Sequence, residues 1–163
     1  MIIHVKGDVF DAGYDVVLHQ ANTRATMGSG IAYSIKNEFP SVYQADKEFK
    51  IPVGRGRLGS FSYATVPKRH APEETFQIFN LYGQDNWTGA SVLTEYDAFS
   101  KALHGIFTYL KNTYLNYKEF RVAVPYLIGC DRAGGDWNKV SNLLEEVSHK
   151  FEIPIYVSNI NID

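Results

Sequence analysis

The sequence predicts an α/β fold, a three-layer α/β/α sandwich in which helices cover both faces of a mixed, mostly parallel sheet. Short apolar segments with strand character alternate along the chain with amphipathic helical patterns. The chain has 163 residues, 45% of them hydrophobic and 21% charged, which suits one domain over residues 1–163 with one sizeable core. In folds of this kind, binding sites lie at the carboxyl ends of the strands.

The individual elements follow from these patterns in order. Strands are predicted over residues 2–5, 15–20, 58–66, 76–82, 120–126 and 155–157, and helices over 31–39, 41–49, 96–110 and 140–151. Pro40 separates the first two helices, because a proline interrupts the helix that precedes it. Thr94 is the predicted N-cap of the third helix, since its hydroxyl can accept a hydrogen bond from a first-turn N–H. Loops are predicted over 67–72 and 83–90.

Composition limits the partners and the location that we expect. The net charge of −2 and the pI near 6.2 provide no basic surface for sequence-specific nucleic-acid binding. The apolar runs are shorter than the roughly 20 residues that span a bilayer, so no membrane partner is expected. Cys130 is the single cysteine and no signal-peptide pattern occurs, which predicts a reducing, cytoplasmic location. The five histidines and Cys130 lack metal-ligand spacing, so neither a metal nor a cofactor is predicted.

Residues 19–32 pass from the second predicted strand into the first helix. A strand end, a glycine-containing loop and a helix N-terminus can hold a phosphate, because the first helical N–H groups have no partners within the helix. Gly28 and Gly30 allow close backbone approach, while His19 and Asn22 supply polar groups beside the loop. A Gly-x-Gly pair alone is also typical of an ordinary turn, and a strand-end histidine can be merely structural.

Residues 125–137 have the same order of strand, loop and helix. Two such loops can enclose one diphosphate from both sides. Asp136 stands directly before the helix, where aspartate is also a preferred N-cap, whereas Asp131 has only turn stabilisation as its alternative role. Cys130 does not fit a cysteine-dependent phosphatase, which needs an arginine where this chain has Asp136. A small buried thiol is the better interpretation.

Asp8 is a third polar group at a strand end, following Gly7. Its carboxylate can accept a hydrogen bond from an exocyclic amine such as that of adenine, or it can stabilise a turn. Together, Gly7-Asp8, residues 19–32 and residues 128–137 resemble the macrodomain family of ADP-ribose-binding modules, and the resemblance covers nearly the whole chain. It is closest to the branch that contains ADP-ribose 1″-phosphate phosphatases, terminal ADP-ribose glycohydrolases and related antitoxin macrodomains.

The resemblance implies an ADP-ribose site and a role for each matching residue. Asp8 is expected to bind the adenine amine, with the Val9 backbone nearby, and Asn22 to face the distal ribose. Backbone N–H groups and helix ends, rather than lysines, are expected to balance the diphosphate charge. The residues expected to bind the ligand are Asp8, Val9, Asn22, Met27, Gly28, Ser29, Gly30, Ile31, Ile128, Gly129, Cys130, Asp131, Arg132, Ala133 and Gly134.

The resemblance also implies which reaction to expect. Lysine-dependent glycohydrolases of this branch carry a lysine where this chain has Gln84 and an acid where it has Ala133, and neither residue can replace that chemistry. The phosphatase relatives have a strand-end histidine, which matches His19. We therefore expect hydrolysis of ADP-ribose 1″-phosphate to ADP-ribose and phosphate, with His19 as acid/base and Asp131 or Asp136 orienting water or substrate.

Three alternatives to the phosphatase stay open at this point. The first is a non-catalytic reader of ADP-ribose. The second is a hydrolase that removes ADP-ribose from modified protein or nucleic acid. The third is a nucleotide-binding scaffold with another ligand. The expected partners are therefore ADP-ribose, its 1″-phosphate and ADP-ribosylated macromolecules.

Overall fold

The computed structural model describes residues 1–86 and 92–161. Its strands are β1 (Ile2–Lys6), β2 (Val16–Asn22), β3 (Phe61–Pro67), β4 (Thr75–Gln84), β5 (Val122–Pro125) and β6 (Ile155–Asn159). Its helices are α1 (Gly30–Glu38), α2 (Pro40–Lys47), α3 (Tyr96–Thr113) and α4 (Trp137–Phe151). Each of these elements matches a predicted strand or helix, with ends that differ by a few residues.

The strands form one sheet in the order β1-β6-β5-β2-β4-β3. Strand β3 is antiparallel to β4, whereas the other neighbouring pairs are parallel. Parallel neighbours need crossover connections, and the helices on the two faces of the sheet provide them. The prediction of a mixed, mostly parallel sheet is confirmed.

Helices cover both faces of this sheet. On one face, Ile35 of α1 and Val42 of α2 pack with Val17 and Ile78 of the central strands. On the other face, α3 and α4 form a larger apolar cluster with the opposite sides of the same strands. The predicted three-layer sandwich is therefore confirmed. Among the described residues, none of the helices has the length and apolarity that crossing a bilayer requires.

Two local predictions have different outcomes. Helix α1 ends at Glu38 and α2 begins at Pro40, as the proline predicts. The prediction of Thr94 as an N-cap is wrong, because α3 starts one residue later with Glu95 at the cap and no capping side chain. The Thr94 hydroxyl instead donates to the Gly129 carbonyl (2.6 Å). The hydroxyl that was predicted to cap the helix is therefore used in a long-range contact.

The loop predicted over 83–90 begins later than expected. Strand β4 continues through Gln84 because this residue pairs with Asn22 of β2. The last part of the predicted loop, from residue 87 onward, lies outside the described residues.

The two central strands, β2 and β5, mark the point where the chain direction across the sheet reverses. From β2 the chain continues through α1 and α2 toward β3 and β4, and from β5 it continues through α4 toward β6 on the other side. The loops that follow these two strands therefore separate at the carboxyl edge of the sheet. Ligands of open α/β sheets bind in the crevice at such a switch point.

Candidate functional site

A cavity of about 750 Å³ lies between the loops that follow β2 and β5. Its volume falls in the range of roughly 300–1,000 Å³ that is usual for small-molecule sites. The predicted ligand-binding residues that line it are Asn22, Met27, Gly28, Ser29, Gly30, Ile31, Ile128, Gly129, Cys130, Asp131, Arg132 and Ala133. The tertiary structure thus brings most of the two predicted loops together around one cavity.

The N-terminus of α1 leaves its first N–H groups free beside this cavity. Ser29 is the N-cap residue, but its side chain makes no capping hydrogen bond. The first hydrogen bond into the helix is donated by Tyr33, so the N–H groups of Gly30, Ile31 and Ala32 have no acceptor among the described residues. Free N–H groups and the positive end of the helix dipole together favour an anion at this position.

The loop after β5 exposes N–H groups by a different route. Two of its carbonyls accept hydrogen bonds from other backbone groups: Gly129 O accepts from Gly135 N (3.0 Å), and Ala133 O accepts from Leu93 N (2.7 Å). The N–H groups of Asp131, Arg132 and Ala133 have no acceptor within the described part of the chain. A turn that binds its carbonyls internally and leaves successive N–H groups free is a favourable site for an anion.

The backbone is strained at both loops. Among the described residues, the non-glycine residues with positive φ are Ala25 (58°), Met27 (41°), Leu127 (64°) and Glu152 (56°), and the first three lie in the loops beside the cavity. L-residues seldom adopt this conformation, which costs on the order of 1–3 kcal/mol at each position. Such residues cluster at functional sites, because contacts elsewhere in the fold compensate for the strain.

Asn22 and Gln84 form one end of the cavity, where the paired strands β2 and β4 finish. The Asn22 amide donates to the Thr26 hydroxyl (2.8 Å) and accepts from Arg24 N (2.8 Å), so its own loop holds it. The Gln84 side chain accepts from Gln20 Nε2 (2.8 Å). These bonds fix two neutral amides at this end of the cavity.

Tyr126 forms part of the opposite side of the cavity and was missing from the predicted site. Its ring packs edge-on against Trp137, with centroids 5.2 Å apart, and remains 38% exposed. A partly exposed aromatic ring held in this way can stack against a flat base. The signal in the sequence was an aromatic residue directly after the β5 strand.

His19 lies outside this cavity, so its predicted role as acid/base is wrong. The side chain is fully buried on the α2 side of the sheet, with Nε2 2.6 Å from Asn80 Oδ1. Successive side chains on a strand point to opposite faces, and His19 shares its face with Val17. Burial lowers the pKa of His19 from 6.5 to about 4, although the hydrogen bond with Asn80 opposes the shift. The ring is a neutral core group without access to a ligand.

Asp136 has a structural role, and its predicted catalytic role stays a prediction. Its Oδ1 accepts from Asn138 N (2.8 Å) and caps α4, and the residue does not line the cavity. Asp131 is exposed and does line it, so its predicted role in orienting water or substrate stays a prediction. Burial raises the pKa of the Cys130 thiol to about 11, which makes this cysteine a poor nucleophile near neutral pH.

Three predicted binding residues, Asp8, Val9 and Gly134, are not among those that line the cavity. The Asp8 carboxylate accepts from Phe10 N (2.9 Å) and pairs with Arg69 Nη1 (3.0 Å). Val9 is buried in the core of the α1 side. The contact of Asp8 with adenine stays a prediction.

Within the described residues, no cluster of three or more histidine, cysteine, aspartate or glutamate side chains has the arrangement of a metal site. The cavity lining supplies hydroxyls, amides, the Asp131 and Asp46 carboxylates and the Arg132 guanidinium as its polar side chains. This chemistry suits hydrogen bonding to a polar organic anion.

Comparison with curated proteins gives two relatives at the same identity. The chain is 27% identical over 165 residues to an uncharacterized 17.5 kDa protein in the tk-vs intergenic region of Enterobacteria phage T4, which covers 95% of both chains. It is also 27% identical over 160 residues to a DNA ADP-ribosyl transferase–DNA ADP-ribosyl glycohydrolase fusion protein of Thermosipho africanus. That match covers 94% of this chain but 40% of the fusion protein. No protein-family model matches the chain.

Solved structures give the fold family. The macrodomain of Thermus aquaticus DarG superposes with a TM-score of 0.73 at 20% identity, covering 97% of both chains. The macrodomain of Mycobacterium tuberculosis DarG superposes with a TM-score of 0.71 at 23% identity, covering 99% of both chains. A Trypanosoma brucei macrodomain in complex with ADP-ribose gives 0.63 at 15% identity, over 96% of this chain and 63% of that one. The chain therefore has the macrodomain fold that its sequence pattern resembles.

Proposed function

We propose that this protein binds ADP-ribose, either free or as the terminal group of a modified macromolecule. The observation that carries the proposal is the pair of loops that line one cavity and leave backbone N–H groups free on both sides. A diphosphate has several acceptor oxygens and a negative charge, so it can use both sets of donors at once. The acidic pI of the chain is compatible with such a site, because backbone groups bind the charge.

The strand order gives the ligand a direction along the sheet edge. Tyr126 follows β5, Asn22 ends β2 and Gln84 ends β4, in the spatial order of these strands. Because neighbouring strands are about 4.8 Å apart, the Tyr126 and Gln84 ends of the site are separated by about 10 Å across the strands. We place the adenosine at Tyr126, the diphosphate between the loops and the distal ribose at Asn22 and Gln84. Asp8, after β1, lies beyond Tyr126 on the adenosine side.

Structures of relatives support this choice of ligand. Both the Trypanosoma brucei macrodomain and Thermosipho africanus DarTG were solved in complex with ADP-ribose. DarTG superposes on this chain with a TM-score of 0.71 at 23% identity, and the chain covers 42% of its length. The shared fold, together with a cavity of this chain at the switch point where open α/β sheets bind ligands, is the basis for transferring the ligand class.

The phosphatase reaction receives less support than recognition alone. The predicted acid/base, His19, is buried and neutral, and Asp136 caps a helix. Among the described residues, the cavity lining includes neither a histidine nor a lysine. Hydrolysis of ADP-ribose 1″-phosphate would therefore depend on a carboxylate of the lining, Asp131 or the buried Asp46, for proton transfer. We propose a reader of ADP-ribose as the primary function.

Hydrolysis of an ADP-ribose conjugate is the second candidate, favoured by the similarity to the Thermosipho africanus fusion protein. Gln84 cannot form a covalent intermediate with the anomeric carbon. Water would therefore attack the anomeric carbon directly while Asp131 accepts one of its protons. The bond from the anomeric carbon to the modified macromolecule breaks in the same reaction, and the leaving group takes up a proton. The substrate class suggested by that relative is ADP-ribosylated DNA.

Isothermal titration calorimetry with ADP-ribose tests the binding proposal. We expect micromolar affinity for ADP-ribose and much weaker affinity for ribose 5-phosphate, which lacks adenine and the diphosphate. Absence of binding at millimolar ADP-ribose would overturn the proposal.

Release assays then separate the reader from the two enzymes. ADP-ribose 1″-phosphate and ADP-ribosylated DNA are incubated with the protein, and free phosphate and free ADP-ribose are measured. A reader binds without turnover. Phosphate release would restore the phosphatase, and ADP-ribose release would establish the glycohydrolase.

A further inference from the structure

The cavity lining contains one buried charge to which the proposed function gives no role. Asp46, near the end of α2, lines the cavity and is 1% exposed. Its Oδ1 accepts from the Tyr82 hydroxyl (2.6 Å) and from Arg57 Nη1 (3.2 Å). Its Oδ2 is buried and has no hydrogen-bond partner among the described residues.

The surroundings hold this carboxylate in one orientation. Arg57, 2% exposed, also donates to the carbonyls of Asp46 (2.9 Å) and Ile51 (2.7 Å), so the guanidinium cannot turn away. The Tyr82 hydroxyl lies 2.7 Å from the Ser62 hydroxyl, which fixes the second donor to Oδ1. Both donors are therefore committed to Oδ1, and Oδ2 is the oxygen that remains for another group.

An unpaired buried oxygen on a carboxylate is unfavourable, by about 1–3 kcal/mol or more. Burial also raises the pKa of Asp46, while the hydroxyl of Tyr82 and the charge of Arg57 lower it again. A donor that reaches Oδ2 from the cavity would remove this penalty. Such a donor must be small, because Asp46 is almost enclosed.

The position of Asp46 identifies which part of the ligand can reach it. Its partner Tyr82 pairs with Ala21 of β2, directly before the pair formed by Asn22 and Gln84, and Ala21, Asn22 and Gln84 all line the cavity. Asp46 thus belongs to the end of the cavity where the proposed orientation puts the distal ribose. Ribose hydroxyls are hydrogen-bond donors, whereas the diphosphate oxygens are acceptors that a carboxylate repels.

We propose that Asp46 accepts a hydrogen bond from a hydroxyl of the distal ribose and so selects ADP-ribose over ADP. This inference rests on the proposed ADP-ribose function. Arg57 and Tyr82 act as positioning residues, because they hold Oδ1 and leave Oδ2 without a partner among the described residues. The selection extends only to compounds with a free, hydroxyl-bearing distal ribose.

The test compares the affinities of ADP-ribose and ADP for the full chain by calorimetry. Asp46→Asn keeps the size of the side chain and an acceptor for Tyr82, but its amide N–H₂ can replace the free oxygen. We expect ADP-ribose affinity to fall about 10- to 100-fold, the usual range for a lost hydrogen bond to a charged group, with ADP affinity unchanged. Asp97→Asn, an exposed aspartate outside the cavity lining, is the matched control and should change neither affinity.

A second variant covers the case in which Asp46→Asn does not fold. Tyr82→Phe removes one support of the carboxylate and keeps Oδ2, so the ratio of ADP-ribose to ADP affinity should fall about threefold. Equal changes for both ligands, or no change in the ratio in either variant, would overturn the role of Asp46. Failure of the wild-type protein to bind ADP-ribose would overturn the proposed function itself, and this outcome is visible before any variant is measured.

Discussion

The two loops around the cavity have the same order of strand, loop and helix, yet they offer different groups to an anion. The loop after β2 enters α1, whose N-terminus has no capping side chain. The loop after β5 enters α4, where the Asp136 carboxylate accepts from Asn138 N. At α4 the protein's own carboxylate occupies the position that we propose for a ligand anion at α1.

The difference shows that strand–loop–helix geometry alone does not make a phosphate site. A helix N-terminus attracts an external anion only where no carboxylate of the protein already neutralises it. The second loop instead contributes the free N–H groups of its turn, Asp131 to Ala133, because its carbonyls are bonded internally. One loop acts through a helix end and the other through a turn.

The largest expected effect is on protein stability and concerns His19, which lies on the strand before the first loop. The pKa of His19 is about 4 in the folded protein and near 6.5 when unfolded, so burial favours the neutral form. Above pH 6.5 the neutral ring makes its full contribution to the free energy of unfolding. That free energy falls by about 3 kcal/mol as the pH decreases from 6.5 to 4, because the unfolded chain binds a proton that the buried ring does not. In His19→Gln, chemical denaturation should show a pH dependence of stability smaller by about that amount between these pH values.

The same variant sharpens the comparison through its binding. ADP-ribose affinity of His19→Gln at pH 7.5 should stay within about threefold of wild type, because the first loop acts through its backbone. Loss of binding in a folded His19→Gln protein would return His19 to the site.

Gly28→Glu is expected to have the next largest effect, on the first loop itself. A Cβ at Gly28 meets no atom within 4 Å, so a side chain can begin there without a backbone clash. A carboxylate beside the N-terminus of α1 competes with the ligand diphosphate, and we expect affinity for ADP-ribose to fall about 30-fold, or roughly 2 kcal/mol. Gly28→Gln has the same size without the charge and should stay within about threefold in calorimetry. Equal losses in the two variants would show steric blocking rather than an anion site.

Arg132→Gln tests the second loop and should have a smaller effect. In the described ranges 1–86 and 92–161, Arg132 makes no ion pair, hydrogen bond or ring contact, in contrast to the other arginines. Its side chain reaches the start of α1, since a Cβ at Gly30 would lie 3.6 Å from Arg132 Cδ. The free guanidinium therefore lies between the loops, near the expected diphosphate.

We expect Arg132→Gln to weaken ADP-ribose binding about fivefold to tenfold, and less at high salt, because the interaction is electrostatic. Arg132→Lys keeps the charge and should recover most of the affinity in the same titrations. If the salt dependence of Arg132→Gln equals that of wild type, Arg132 does not contact the anion.

The smallest expected effect concerns the cap that distinguishes the second helix. Asp136→Ala removes the N-cap of α4 and should lower the free energy of unfolding by about 1 kcal/mol, measured by denaturant titration. ADP-ribose affinity should change less than twofold, because Asp136 does not line the cavity. A tenfold loss of affinity in the folded variant would instead make Asp136 part of the site.

Local patterns in the sequence predicted the layers, the succession of strands and helices along the chain, and both loops. Apolar periodicity identifies helices and strands, and Pro40 and the glycines of the loops act within a few residues of themselves. The loop residues of the site could be found for the same reason, since a strand end, a loop and a helix start are consecutive in the chain. The cap at Asp136 was also one of the two roles that its position predicted.

The side on which a central strand presents each residue was decided only by the tertiary structure. Strand β2 is covered on both faces, so apolar residues fill it and no alternation indicates where His19 points. The role of the Thr94 hydroxyl depends in the same way on a distant partner, the Gly129 carbonyl. The role of Tyr126 depends on the cavity that the second loop completes. Local propensity cannot include such contacts.

Asp46 gives the clearest division between sequence and tertiary structure. In the sequence it is one of several charged residues in a short polar helix, and such residues are usually solvated. The fold places it against Arg57 and Tyr82, which come from separate elements, and buries it at the end of the cavity. The sequence by itself determined the sheet, the helices and the two loops, because these depend on neighbouring residues. Which charges are buried and which line the cavity depended on long-range packing, so only the tertiary structure decided them.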